Sequence, residues 1–314
     1  MYDKFPKVVF LILLAKREIQ KKIKSYIMKQ IFTFFVVAFT LTTLTQSCGK
    51  KSNAVKGCTD PNSVNFNKAA TESDGSCQSA DSKQRFFIMD ITGTWCPPCG
   101  SYGIPGFAKA IELIGENNLV AMSVHASDAL SCAAGNELQN YTQYKTTSVP
   151  RVAGGSTLIF PAGVYSDINQ TAIKIKGESD KTTSQAAVVN CYVGKTVNGT
   201  TVTLDVKAKF FSGANGDYYV AAYVLEDGIV ASQALATGGS NATQVHDHVL
   251  RGAFGVTFGE SLSTGAAETG KIVSKTLTTT LNSAWKVANL RYAVVIWNKD
   301  ASGIYKFENC TEIK

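Results

Sequence analysis

The pattern of apolar and polar positions changes near residue 185, and that change divides the chain. Before it, residues 85–92 (RFFIMDIT) form a short apolar run of the length of a buried strand, and the GTWC that follows makes a turn. From Ser101 to Asn117, the apolar residues Ile104, Phe107, Ala108, Ile111, Leu113 and Ile114 recur at near-helical spacing, which predicts a helix. After the change the runs are short and alternating. Thr201 to Phe210 sends apolar residues to one face and polar ones to the other, as a half-buried strand does. Similar runs at 186–193, 217–225, 229–236, 271–281, 291–298 and 303–308 are separated by turns such as Asn198-Gly199 and Asp227-Gly228. Strands at this density predict an antiparallel sandwich over residues 185–314, after an α/β region over residues 84–180.

Upstream, the apolar stretch Ile31 to Leu44 follows Lys29 and precedes small or polar residues, the order of parts in a secretory signal peptide over residues 28–47. Leu44-Thr45-Gln46-Ser47-Cys48 resembles a loose lipoprotein box, with Gln46 departing from the usual small residue, and implies lipidation of Cys48. An uncleaved helical anchor with Cys48 as an ordinary thiol is the alternative. Residues 1–27 fit no targeting pattern and read as an over-extended start, with Met28 the true one. No apolar run reaches the ~18 residues of a spanning helix, which excludes a multi-pass membrane protein.

The net charge of +7 invites a nucleic-acid reading, but residues 1–47 hold eight lysines and arginines against two acids. The remainder, with 23 cations and 22 acids, is almost neutral. No basic aromatic surface, phosphate-binding glycine loop or Ser/His/Asp constellation is evident, so nucleic acid is not an expected partner.

The eight cysteines are at 48, 58, 77, 96, 99, 132, 191 and 310, and an oxidising compartment allows disulfides among them. Residues 48–83 form a polar tether and a segment bounded by Cys58 and Cys77, which resembles a cysteine-flanked module of secreted and surface proteins of some Gram-negative bacteria. Val64 and Phe66 are almost its only large apolar residues, so a Cys58–Cys77 bridge would supply order that burial does not, at ~3 kcal/mol. Asp60, Asn62, Asn65, Asn67 and Asp74 offer oxygen ligands for calcium or, as the preferred reading, turn formers with no metal. Cys191 and Cys310 lie in the first and last β runs and are expected to pair if those strands are neighbours. That leaves Cys132 as a small buried group or an additional redox partner.

The sharpest motif is Trp95-Cys96-Pro97-Pro98-Cys99. Structural zinc needs a second pair at similar spacing, and none is present. Strand, CxxC and helix in succession put Cys96 at a helix N-terminus, where the helix dipole favours the attacking thiolate. Cys99, one turn in, is placed to resolve a mixed disulfide. The segment resembles the thioredoxin superfamily in its WCxxC core, in Pro98, in Asp90 at the position of the buried acid, and in Ser148-Val149-Pro150 at the cis-proline loop. A strand at 119–124, a helix at 128–146, a strand near 156–160 and a helix near 166–176 complete that family's order over residues 84–180.

The resemblance implies catalytic roles for Cys96, Cys99, Asp90 and Pro150, and substrate contact by Trp95, Val149 and Arg151. A static Cys96–Cys99 disulfide remains the alternative. Pro97 and Pro98 lack N–H groups, so only a modest fall in the Cys96 pKa is expected, toward the ~7 of thioredoxin. Arg151 is an unusual neighbour of Pro150, expected either to lower that pKa or to meet acidic substrates.

Residues 224–233 (VLEDGIVASQ) and 246–255 (HDHVLRGAFG) resemble segments of a family of outer-membrane lipoproteins first described as an outer-membrane protein of twenty-eight kilodaltons, which pairs a thioredoxin-like region with a β domain. The implied fold is an α/β thioredoxin-like domain followed by an all-β immunoglobulin-like sandwich. His246 and His248 at i, i+2 spacing would share one face of a strand, with no third metal ligand near; His125 reads as structural. No metal and no cofactor are expected. The expected function is an exported, lipid-anchored thiol-disulfide oxidoreductase with protein disulfide substrates and an unidentified electron-transfer partner. The alternative is a binding or adhesion lipoprotein on a non-catalytic thioredoxin-like scaffold. Gly49, Lys50 and Lys51 carry none of the acids of surface-export signals, which favours the periplasmic face of the outer membrane.

Overall fold

Strand β1 (Phe86–Thr92) is buried at every position, as its unbroken apolar run demands. The computed structural model describes residues 20–24, 54–161 and 163–314, and the signal segment, the upstream start and Cys48 lie outside them. Residues Val55–Lys314 form one compact unit; of the segment Met1–Ala54, residues 20–24 are an exposed helical turn.

After β1 come a π-helical turn at Cys99–Gly103 and helix α1 (Ile104–Ile114), then β2 (Leu119–His125) and α2 (Ala133–Asn140). β3 (Arg151–Gly154), β4 (Thr157–Leu158) and α3 (Ile168–Thr183) follow. The helix expected over 128–146 is thus confined to eight residues. Its start is delayed because Asp128 accepts from the N–H of Leu130 and Ser131 folds back on the Asp128 carbonyl, and Cys132 then caps the helix through sulfur. The last helix begins at Ile168, where Asp167 caps it by accepting from the N–H groups of Asn169 and Gln170, and it runs to Thr183, past the expected end near 176.

The second half supplies β5 (Val189–Asn198), β6 (Thr201–Phe210), β7 (Asp217–Glu226), β8 (Ile229–Ala234), β9 (Ser240–His246), β10 (Val249–Ala253), β11 (Glu260–Ser263), β12 (Ile272–Thr280), β13 (Leu290–Lys299) and β14 (Tyr305–Ile313). Strands from both halves meet in one nine-stranded sheet, ordered β14-β13-β7-β10-β2-β1-β3-β4, with β11 also on β7. The seam is β10 beside β2: Ser123 is paired with Val249 in parallel, and its N–H donates to the His248 carbonyl at 2.8 Å.

Alternation along these strands sends side chains to two faces. One face carries Phe86, Ile88, Leu119 and Ala121 under α1 and α3. Farther along, the same face carries Val220, Val224, Tyr292 and Val294 under the three-stranded sheet β12-β6-β5. The opposite face packs Phe87, Met89, Val120, Tyr223, Val295 and Trp297 with Leu138 of α2. The molecule is therefore a mixed α/β protein rich in strand.

Cys58 and Cys77 are bonded. Lys207 of β6 donates to the carbonyls of Pro61 and Ser63 at 2.9 and 2.6 Å, tying this module to the three-stranded sheet. Its Asx oxygens are engaged within the protein: Asp60 accepts from Asn62 N–H, Asn67 from Ala69 and Asp74 from Ser76 in local turns, while Asn65 accepts from Gln78 N–H across the module. The expected Cys191–Cys310 bridge is not formed; both are buried free thiols, and Cys132 is free as well. Cys191 points into the core between β5-β6 and β7-β13, whereas Cys310 points into the core on the other face of the large sheet. Neighbouring strands brought the residues near, but their side chains belong to different layers.

Candidate functional site: a CxxC disulfide beside a cis-proline

Trp95 is half exposed, and its indole N–H is fixed on the Ala126 carbonyl at 2.8 Å. The loop Gly93-Thr94-Trp95-Cys96 is closed by Cys96 N–H on the Gly93 carbonyl at 3.0 Å. Asp128 braces it: Oδ2 accepts from Thr94 N–H at 2.8 Å and lies 2.7 Å from His125 Nδ1. Burial works against the Asp128 charge, but the bonds from His125, Thr94 and Leu130 hold its carboxyl below the usual carboxylate range.

Cys96 and Cys99 form a disulfide. Cys99 N–H lies 3.2 Å from Cys96 Sγ, the backbone donor that remains where Pro97 and Pro98 have none. Cys96 Sγ is 3.7 Å from the Val149 carbonyl oxygen, and the Val149–Pro150 peptide is cis. A β-carbon on Gly103 would sit 2.9 Å from Pro150 Cβ, so glycine is what lets the helical segment close on the proline. Beside it lies a cleft of about 380 Å³ lined in part by Trp95, Thr146, Ser148 and Val149.

Asp90, in the middle of β1, is buried with Oδ1 unpartnered, and desolvation raises its pKa to about 7. Arg151 is 4% exposed and donates to the carbonyls of Thr146, Ser148 and Gln139, so it holds the loop before Pro150 from within, on the wall of the same cleft. His246 and His248 differ from the expected strand pair. His246 ends β9 with its ring 5.2 Å from that of His125, while His248 sits in a turn at φ 55 because Asp227 accepts its N–H and Asp247 accepts that of Gly228. Among the described residues no group of three His, Cys, Asp or Glu is placed to hold a metal ion.

The residue that sequence reasoning missed is Gln233. It is fully buried, and its Nε2 donates to the carbonyls of Cys96 at 3.0 Å and Gly93 at 3.2 Å. Ala234 N–H donates to the Thr94 carbonyl and Ala236 N–H to Ser101 Oγ, so the β8–β9 hairpin lies along the motif. Gly100 permits this, since a β-carbon there would be 2.4 Å from the Ala234 carbonyl oxygen. The available signal was the glutamine that ends VLEDGIVASQ, a segment already singled out for its family resemblance.

Fold and site together define a mixed α/β protein whose CxxC disulfide is set between a cis-proline loop and a β-hairpin. The chain belongs to the outer membrane protein Omp28 family, whose profile matches residues 139–311. That family points to an outer-membrane-associated protein. Among the described residues no helix is long and apolar enough to cross a membrane. The fold is shared with HBP35 of Porphyromonas gingivalis at TM-score 0.60 and 15% identity, over 74% of this chain and 76% of that one. The E. coli curli protein CsgC (8% identity, TM-score 0.20, 40% of this chain and 96% of that one) overlaps it only partially. So does the sporulation control protein Spo0M of Bacillus subtilis (15%, TM-score 0.25, 41% and 48%). No curated protein matches the chain.

Proposed function

We propose that this chain is a thiol-disulfide oxidoreductase, exported and held at the periplasmic face of the outer membrane by lipid on Cys48. In this reading residues 84–180 are a thioredoxin-like domain and residues 185–314 an immunoglobulin-like sandwich. The observation that carries it is the Cys96 sulfur 3.7 Å from the carbonyl before cis-Pro150, with a buried carboxyl on the adjoining strand. In the reduced pair, Cys96 thiolate attacks a substrate disulfide and expels one substrate thiolate. Cys99 then loses its proton to Asp90 and attacks Cys96 Sγ, forming the Cys96–Cys99 bond and releasing the second substrate thiolate. Two electrons pass to the substrate, and an electron-transfer partner must return them. Val149-Pro150 and exposed Trp95 would align the substrate backbone.

The second reading, a binding or adhesion lipoprotein on a static scaffold, is favoured by one fact: Cys96 is only 2% exposed and Cys99 fully buried. The experiment is the reduction potential of the pair together with insulin reduction by wild type and Cys96→Ser. Activity lost in the variant supports the oxidoreductase. A pair resistant to reduction, with no activity to lose, supports the scaffold.

A further inference from the structure

A cavity of about 190 Å³ lies between α1 and the large sheet, with the carboxyl-bearing strand position Asp90 on its wall and Ser123, Asp247 and His248 around it. It is roomy enough for several waters and offers them polar partners, the two conditions for a hydrated cavity. The demand is specific: Asp90 Oδ1 and His248 Nδ1 are both buried atoms with no hydrogen-bond partner in the protein.

We propose that this cavity is the route by which Asp90 exchanges its proton with solvent, and that the His248 imidazole, supplied by the second half of the chain, relays that proton. The inference rests on the oxidoreductase reading. After Cys99 hands its proton to the Asp90 carboxylate and closes the disulfide, the neutral carboxylic acid must lose that proton before the next cycle. Cavity water carries it to the imidazole, which becomes imidazolium and releases it to bulk water, leaving Asp90 ionised and His248 neutral again. His248 acts through Asp90 and touches no sulfur.

The surroundings suit the task. Burial alone raises the Asp90 carboxyl, and the other ionisable residues that line the cavity with it are Asp247 and His248. His248 is pushed toward neutrality chiefly by burial and then by Arg291, against Asp227 (3.8 Å from Nδ1), Asp247 and Glu116, and a neutral imidazole is the form that accepts a proton. Its place is fixed by backbone on both sides, through the N–H on Asp227 and the carbonyl on Ser123. At φ 55 the position accepts glycine or asparagine without strain, so the imidazole can be removed while the turn is kept.

The test uses the full chain and follows two rates against pH in wild type, His248→Asn, His248→Gly and Asp90→Asn: the single displacement by Cys99 of a mixed disulfide on Cys96, and the steady rate of repeated insulin reduction with dithiothreitol as electron donor. Melting temperatures identify any variant that misfolds. Both His248 variants are expected to turn over roughly ten-fold more slowly in repeated cycles, with an altered pH profile, and added imidazole restores His248→Gly but not Asp90→Asn. A His248→Gly protein with the wild-type rate and profile, or one slowed but indifferent to imidazole, overturns the relay. Wild type that never resolves the mixed disulfide overturns the oxidoreductase reading and the relay with it.

Discussion

Gln233 Nε2 donates to the Cys96 carbonyl at 3.0 Å, joining a residue of the second half to the first cysteine of the motif. Gln233→Leu keeps the bulk and removes the amide, leaving the Gly93 carbonyl only the Cys96 N–H and the Cys96 carbonyl only the Gly100 N–H. The expected loss is about 1 kcal/mol of stability, the net worth of a typical intramolecular hydrogen bond. Denaturant melts of both proteins in the oxidised state check this, and an unchanged midpoint would show that the amide does not hold the loop.

Two glycines should respond in opposite directions. Gly100→Ala drives a methyl against the Ala234 carbonyl and is expected to destabilise by ~1–3 kcal/mol. Gly177, inside α3, has nothing within 4 Å of where its β-carbon would be, so Gly177→Ala should stabilise by roughly 0.5–1 kcal/mol. Thermal melts of the pair decide whether the hairpin contact, and not glycine loss as such, sets the sign.

Asp90 gives stability a pH dependence whose sign is fixed. Its carboxyl titrates near 7 when folded against an ordinary 3.8, so the folded state holds a proton that the unfolded state has released between those values. Stability therefore falls as pH rises from about 4 to 7, with a slope approaching 1.4 kcal/mol per pH unit, and levels off above. Asp90→Asn should remove that component. Equal slopes in both proteins would mean that another group is responsible.

Thiol mapping distinguishes the free cysteines from a bridge. Of the described cysteines, Cys132, Cys191 and Cys310 should be alkylated in the chain unfolded without reductant, while Cys58, Cys77, Cys96 and Cys99 stay protected. In the folded protein Cys191 should be inert, since burial pushes its thiol up to about 12. Labelling of Cys132 alone in denaturant would restore the Cys191–Cys310 bridge.

Much of the first half could be read because its signals are local. RFFIMDIT is buried on both faces and so carries no polar alternation, and WCPPC with Val149-Pro150 names its own neighbours. The β8–β9 hairpin was only half visible: Ile229–Ala234 lay within an expected strand, but Ser240–His246 is largely exposed and polar, leaving no apolar period. Arg151 shows a different limit. Its anchoring on the carbonyls of Thr146, Ser148 and Gln139 depends on how the loop folds around the guanidinium, which a single charge in a sequence does not reveal. The placement of Val249–Ala253 against Leu119–His125 depends on contacts distant in sequence, which no local pattern encodes.

That seam also bears on how the protein is made. A chain emerging N-terminus first exposes β2 as a bare sheet edge until β10 arrives, on the order of a hundred residues later. During that interval the unpaired backbone of Leu119–His125 is open to strands of other molecules, and the two cysteines of the motif are present without Gln233 to hold their loop. Closure of the loop around Cys96 and Cys99 therefore waits on the second half of the chain, so a truncated product would carry the motif in a half-built cradle.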